Sequence, residues 1–168
     1  MTGNRKWYSI LVVAFLALPL TGSKADSTAD AKRAIQAQYD KSNAAAAKKD
    51  SKGVTSVFTK DRVSVTSKGV TTSIQDEKKQ MEQVFSAAQS CVVTSTILSV
   101  SLTGSQAKVR VKEHGKIVLP NPKTMVNSNL VEDSIREDTW IKSGGAWLEK
   151  KSVEKSSKVT IDGKEVAQ

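Results

Sequence analysis

Residues 136–150, REDTWIKSGGAWLEK, consist of two stretches with apolar residues on either side of a Ser143-Gly144-Gly145 turn. Glycine adopts positive φ without steric cost, so this triplet favours a tight reversal between two strands. Trp140 and Trp147 flank the turn, where we expect them to act as structural clamps. The stretch therefore predicts a β-hairpin.

The residues that precede this hairpin also have the pattern of β-strands. Alternate residues of a strand share one face. In residues 91–102, CVVTSTILSVSL, we expect the inward face to consist of Val92, Thr94, Thr96, Leu98, Val100 and Leu102. After a turn at residues 103–105, the next strand alternates again, with an inward side formed by Ala107, Val109, Val111 and Glu113. A longer loop over residues 119–129 leads into the hairpin.

Earlier in the chain, apolar residues recur at every third or fourth position, as in a helix, and not at every second position, as in a strand. Residues 27–50 are rich in strong helix formers, with an apolar stripe formed by Ala31, Ile35, Tyr39, Ser42 and Ala46. Residues 54–58 predict a short helical turn, residues 61–67 a strand, and residues 72–88 a second amphipathic helix capped by Ser73. Helices followed by hairpins predict an α+β domain, with helices covering one face of a curved sheet.

Three motifs resemble SnoaL-like proteins of the nuclear transport factor 2-like superfamily. They are the Asp-Thr-Trp-hydrophobic-Lys stretch with its glycine turn and second Trp, the first helix with Tyr39 and an alanine-rich run to Lys49-Asp50, and the closing Ile161-Asp162-Gly163-Lys164. The resemblance covers about residues 28–166. It implies a cystatin-like cone, in which a strongly curved antiparallel sheet packs on N-terminal helices around a cavity. It also implies homodimers formed through the sheet.

The first 25 residues have the organisation of a cleavable signal peptide. Arg5 and Lys6 precede the apolar run Ile10–Leu20, and Ser23-Lys24-Ala25 forms a small-x-small cleavage site. The LPLTG sequence at residues 18–22 matches a sortase motif, but it lies at the wrong end of the chain for wall sorting. The apolar run is too short to span a bilayer. We therefore expect an exported protein, periplasmic or extracellular, with no transmembrane anchor after cleavage.

The composition argues against several classes of protein. Removal of 25 of the 168 residues leaves a single domain of 143 residues, with 23 basic and 17 acidic side chains and a net charge of +6. The lysines are spread along the chain, and the denser basic stretch from Lys150 to Lys164 contains no aromatic residue, which argues against nucleic-acid binding. Cys91 is the one cysteine, and we expect it to be a buried hydrophobe. No set of His and Cys residues has metal-ligand spacing, and we expect no cofactor.

Few residues could carry acid-base chemistry. Catalytic relatives such as the ketosteroid isomerases need a carboxylate or His base and a donor for the developing oxyanion. Glu113 and Asp138 are the candidate bases, although Glu113 is also expected at the solvent-exposed rim and Asp138 in an ion pair with Arg136. His114 alternates onto the outer face and predicts a surface residue. The predicted ligand pocket contains Tyr39, Phe58, Phe85, Glu113, Arg136 and Trp140.

These observations favour a non-catalytic protein that binds a small apolar ligand. Two alternatives remain at this point. One is an isomerase, cyclase or hydrolase-type enzyme that uses Glu113 or Asp138 as base and Tyr39 as donor. The other is a structural or interaction module whose cavity is filled by its own side chains.

Overall fold

The structure is a computed structural model that describes residues 27–120 and 126–166. The predicted signal peptide and LPLTG lie outside the described residues. The elements are α1 (Thr28–Ala47), α2 (Ser51–Thr55), β1 (Phe58–Val65), β2 (Thr71–Ser73), α3 (Ile74–Ala87), β3 (Ser90–Thr103), β4 (Gln106–Pro120), β5 (Asn127–Ser143), β6 (Ala146–Ile161) and β7 (Lys164–Glu165). No helix among these is long and apolar enough to cross a bilayer.

The described strands form one curved sheet against which the helices pack. The strand order is β2-β1-β6-β5-β4-β3, with β7 added to β6. Strands β3 to β6 are consecutive antiparallel neighbours, as the hairpin pattern predicts. However, β1 pairs with β6 in parallel, so the sheet is mixed rather than wholly antiparallel. No tight turn joins β1 to β6, so the local sequence could not predict the direction of this pair. The prediction of an α+β fold with helices on a curved sheet is confirmed.

Helix α1 lies on β3 and contributes much of the core. The side chain of its N-cap residue, Ser27, accepts a hydrogen bond from the backbone N–H of Asp30 at 3.1 Å. Four of the five predicted stripe residues are buried, namely Ala31, Ile35, Tyr39 and Ala46. The prediction of the apolar stripe is therefore confirmed. It could be made from the sequence because the period of a helix depends only on residues of that helix.

The second helix begins three residues before the predicted position. Asp50 caps it by accepting a hydrogen bond from the backbone N–H of Gly53 at 3.0 Å. Gly53 therefore lies inside α2, before the predicted start of the helical turn. A Cβ at this position would lie 2.5 Å from Asp50 Oδ2 and 2.7 Å from Ala45 Cβ, so the close packing of α1 and α2 requires glycine. The prediction for α3 and its Ser73 cap is correct to within two residues.

A β-bulge changes the inward face of β3 midway along the strand. The register with β4 shifts between Ile97 and Ser99. Before the shift the inward residues are Cys91, Val93, Ser95 and Ile97, whereas Val92 is 51% and Leu98 is 48% exposed. After the shift Val100 and Leu102 pack against the core, as predicted. The predicted inward face was therefore wrong for the first half of β3, because one extra residue at a bulge exchanges the two faces of a strand.

Candidate functional site

A cavity of about 250 Å³, partly open to solvent, lies between the three helices and the concave face of the sheet. One part of its wall is apolar and is formed mainly by Val54, Met81, Phe85, Val93 and Ile117. The other part is polar and charged, and is formed by Tyr39, Arg62, Glu77, Glu113, Arg136 and Glu149. The cavity therefore combines an apolar wall with a concentrated group of ionisable side chains, the arrangement of a ligand site.

Five of the six predicted pocket residues line this cavity. They are Tyr39, Phe58, Phe85, Glu113 and Arg136. Trp140 does not line it but is fully buried in the core, where its ring packs edge-on against Tyr39 with centroids 5.0 Å apart. Neither ring fills the cavity, because Tyr39 forms part of its wall and Trp140 lies outside its lining.

Asp138 is buried behind the cavity wall with both carboxylate oxygens occupied. Tyr39 donates its hydroxyl proton to Oδ2 at 2.6 Å, and Ser152 donates to Oδ1 at 2.7 Å. The Tyr39 oxygen accepts a hydrogen bond from Trp140 Nε1 at 3.1 Å. Burial raises the pKa of Tyr39 well above its ordinary value, and the negative charge of Asp138 adds to the rise. Tyr39 therefore stays protonated, with its donor and acceptor both in use.

Arg136 joins the two carboxylates that the sequence analysis singled out. It forms two contacts with Glu113, at 2.9 and 3.2 Å, and its Nη2 lies 3.5 Å from Asp138 Oδ2. Burial disfavours the charged guanidinium, but Glu113 and Asp138 hold the pKa of Arg136 well above its ordinary value. Glu113 also accepts a hydrogen bond from the Ser95 hydroxyl at 3.2 Å. The predicted ion pair between Arg136 and Asp138 is present, and Glu113 belongs to the same cluster.

A second charged cluster, which the sequence analysis missed, surrounds Arg62. Its Nε donates to Glu149 Oε1 at 2.8 Å, its Nη1 contacts Glu77, and its guanidinium lies 4.0 Å from the centre of the Phe58 ring. Among the described residues Arg62 is the sole hydrogen-bond partner of the Glu149 carboxylate, and it binds Oε1 and not Oε2. Glu149 is only 2% exposed.

The surroundings of Glu149 make its protonation unusual. Burial raises the pKa of its carboxyl to about 7; Arg62 opposes this rise and Asp138 adds to it. A carboxyl group with a pKa near 7 is present in both protonation states at neutral pH. Glu149 is thus the cavity carboxyl group best able to exchange a proton or to take up a charged partner.

One signal in the sequence could have identified Glu149, but none could have identified Arg62. Glu149 follows Trp147 by two residues, so strand alternation places both side chains on the inward face. Arg62 lies between two register positions, Phe58 and Val63, where the pairing of β1 with β6 shifts. Such a shift depends on tertiary packing, so the alternation along residues 61–67 does not indicate which side chains point inward.

Cys91 and His114 belong to neither charged cluster, although Cys91 lines the cavity. Cys91 is buried, as predicted, and burial raises the pKa of its thiol, with a further rise from Glu113. His114 is exposed, as predicted, with Nδ1 3.0 Å from Asp133 Oδ1. The described residues contain no group of three or more His, Cys, Asp or Glu side chains that could hold a metal ion.

The fold and the cavity define an α+β protein with a cystatin-like arrangement of helices on a curved sheet. The sequence pattern of the SnoaL-like domain matches residues 27–152, and the chain belongs to that family. No curated protein matches it in sequence.

Several solved structures share the fold at low sequence identity. A conserved protein from Planctomyces limnophilus is 17% identical, with a TM-score of 0.62 over 73% of this chain and 93% of that one. A domain of unknown function with a cystatin-like fold from Nostoc punctiforme is 17% identical, with a TM-score of 0.57 over 77% and 78%. A hexachlorocyclohexane dehydrochlorinase is 11% identical, with a TM-score of 0.60 over 82% and 89%. The neighbours thus include both an enzyme and uncharacterised proteins, so the fold leaves binding and catalysis open.

Proposed function

We propose that this protein binds a small, mainly apolar molecule in the cavity between its helices and its sheet, without chemical conversion. The observation that carries the proposal is the open cavity of about 250 Å³, with one apolar and one charged wall. An apolar cavity of about 150 Å³ is large enough for benzene. The space therefore suits a ligand slightly larger than a single aromatic ring.

The hydrogen bonds around the predicted bases support binding rather than catalysis. Asp138 has both oxygens occupied, and Glu113 is paired with Arg136 and Ser95. Tyr39 already donates its proton to Asp138 and has no second proton to offer a substrate. A general base needs a free lone pair directed at the substrate. Asp138 lies behind the cavity wall, and Glu113, which lines the cavity, could take a substrate proton only in competition with its ion pair to Arg136.

Two single substitutions on adjacent residues of β3 test the binding proposal. Val93 lines the cavity, whereas Val92 lies on the opposite face of the strand. Binding of benzene, toluene and benzyl alcohol would be measured by ligand-detected NMR. We expect Val93→Phe to fill part of the cavity and weaken binding at least about tenfold. The matched control, Val92→Phe, should leave it unchanged. Equal effects of the two substitutions, or no binding by the unmodified protein, would contradict the proposal.

A second candidate function is general-base catalysis by Glu149. The observation that favours it is a buried carboxyl group with a pKa of about 7 and an oxygen that lacks a partner among the described residues. A base with a pKa near the working pH is well suited to proton abstraction, an effect that contributes about 10²- to 10⁴-fold to rates. In this candidate a developing negative charge would be stabilised by the guanidinium groups of the cavity, including Arg136 Nε, which has no partner among the described residues, because the Tyr39 proton is already donated to Asp138.

Hydrogen exchange at a carbon acid separates this candidate from simple binding. Cyclohexanone would be incubated with the protein in D2O, and loss of its α-proton signals followed by NMR. Catalysis by Glu149 predicts exchange faster than in buffer and a loss of about 100-fold in Glu149→Gln. Exchange at the buffer rate, or exchange that Glu149→Gln leaves intact, would exclude Glu149 as a base for this class of reaction.

We also propose that the mature protein is exported and forms a homodimer through the sheet. The charge, apolar run and cleavage site of residues 1–25 support export. The intact mass of protein from an expressing cell tests it, since retention of residues 1–25 would contradict cleavage. Light scattering after gel filtration tests the dimer. Because Lys108, Arg110 and Lys112 are exposed on the outer face of β4, a dimer that pairs these strands should be favoured by salt.

A further inference from the structure

The charged part of the cavity has more carboxylates than cations. Three carboxyl groups line it, from Glu77, Glu113 and Glu149, together with the guanidinium groups of Arg62 and Arg136. With all five groups ionised the lining carries a net charge of −1, and Asp138, which contacts Arg136 from behind, brings the total to −2. Charges in a site shielded from water interact more strongly than they do on a surface. The cavity therefore favours a ligand with positive charge.

Both guanidinium groups already contact two carboxylates each, and among the described residues Arg136 Nε is the one arginine N–H that is buried without a partner. Arg62 contacts Glu149 and Glu77, and Arg136 contacts Glu113 and Asp138. An anionic ligand that took over the paired edge of either guanidinium would have to displace one of these carboxylates and leave it buried without a partner, which is costly; at Arg136 Nε it would lie close to the negative charges of Glu113 and Asp138. A cation bound at Glu149 would also lie near the positive charge of Arg62. Glu77, which contacts Arg62, offsets part of that charge.

Glu149 supplies the acceptor that a cationic group needs. It lines the cavity, and its Oε2 has no hydrogen-bond partner among the described residues. The same cavity is also lined by apolar side chains, including Phe85, Met81 and Val93. An ammonium group at Glu149 would thus leave the body of the ligand against apolar surface. Both parts of the cavity would then be matched by one molecule.

We infer that the ligand is a small primary amine with an apolar body, whose ammonium group binds Glu149. The inference rests on the proposed binding function and narrows it to one chemical class. A neutral alcohol of the same shape would fill the apolar part but gain little from the negative charge. A carboxylate of the same shape would be repelled.

Three probes of nearly equal shape test the inference on the unmodified protein. Benzylamine, benzyl alcohol and benzoate would be titrated calorimetrically at pH 8, where the amine is largely protonated and Glu149 largely ionised. Hydrogen bonds to charged groups contribute about 1.5–3 kcal/mol, so benzylamine should bind about 10- to 100-fold more tightly than benzyl alcohol. Benzoate should bind most weakly.

The outcomes separate this inference from the proposed function. Benzyl alcohol or benzoate binding as tightly as benzylamine would overturn the inference but leave cavity binding intact. No binding by any of the three would overturn both.

A matched pair of variants locates the ammonium site. Glu149→Gln should weaken benzylamine binding at least about tenfold while changing the affinity for benzyl alcohol little. Glu137→Gln, on an exposed residue of β5, should change neither. Unchanged benzylamine affinity in folded Glu149→Gln would overturn the assignment. If that variant does not fold, the comparison of the three probes on the unmodified protein still decides the question.

Discussion

The raised pKa of Glu149 makes the stability of the protein depend on pH in a defined direction. In the unfolded chain this carboxyl has the ordinary pKa of 4.5, whereas in the fold it has a pKa of about 7. Between these values the folded state holds a proton that the unfolded state has lost. The contribution of Glu149 to stability is therefore fully present below pH 4.5 and is lost as the pH rises through 7.

The size of the effect follows from the two pKa values. Their difference corresponds to about 3 kcal/mol in total, and about 2–3 kcal/mol of this falls between pH 5 and pH 8. Glu149→Gln removes the titrating group but keeps an oxygen that can accept the hydrogen bond from Arg62 Nε. The stability of this variant relative to the unmodified protein should therefore rise by about 2–3 kcal/mol between pH 5 and pH 8.

Urea denaturation measures this difference directly. Trp140 and Trp147 are both buried, so their fluorescence should report unfolding. Curves would be recorded at pH 5 and pH 8 for the unmodified protein, for Glu149→Gln and for the exposed control Glu137→Gln. The control should show a difference in unfolding free energy that changes little with pH. A difference for Glu149→Gln that stays constant or falls with pH would refute a raised pKa at this site.

Three further predictions concern the packing that holds the cavity. Tyr39→Phe removes the 2.6 Å hydrogen bond to Asp138 and should cost about 1–3 kcal/mol of unfolding free energy in urea, whereas no loss would mean that solvent replaces the hydroxyl. Ile97→Ala should cost about 2–5 kcal/mol and Leu98→Ala less than about 1 kcal/mol by the same assay, and the reverse order would place the bulge of β3 elsewhere. Ser73→Ala removes the cap of α3 and should lower stability by about 1 kcal/mol, while an unchanged midpoint would argue against the cap.

The sequence predicted most of the fold where one element alone sets the pattern. The α1 stripe and the alternation of Ala107, Val109 and Val111 in β4 are both found in the structure, and all three β4 residues are fully buried. In each case neighbouring residues along the chain carry the whole signal, because the period of a helix or strand fixes which side chains share a face. The same reasoning gave the wrong inward face for the first half of β3, because a bulge in the middle of that strand exchanges its two faces.

The candidate site was predicted less completely than the fold. The sequence predicted the ion pair of Asp138 with Arg136 and indicated Glu113 separately as a candidate base or rim residue, whereas the structure joins all three in one cluster. The sequence did not indicate that both oxygens of Asp138 would accept hydrogen bonds, from Tyr39 and from Ser152. These partners lie on α1 and β6, 99 and 14 residues away in the chain. The occupancy of a carboxylate depends on such distant donors, which local sequence patterns do not record.

The sequence by itself determined the α+β class, the hairpin order and the inward position of Tyr39. Only the tertiary structure decided that β1 runs parallel to β6, which brings Arg62 within 2.8 Å of Glu149 across 87 residues of chain. Periodicity is a property of adjacent residues, so it can be recognised before folding. Which buried carboxylate keeps a free oxygen depends on the balance of desolvation and pairing among distant residues, and that balance exists only once the chain has packed.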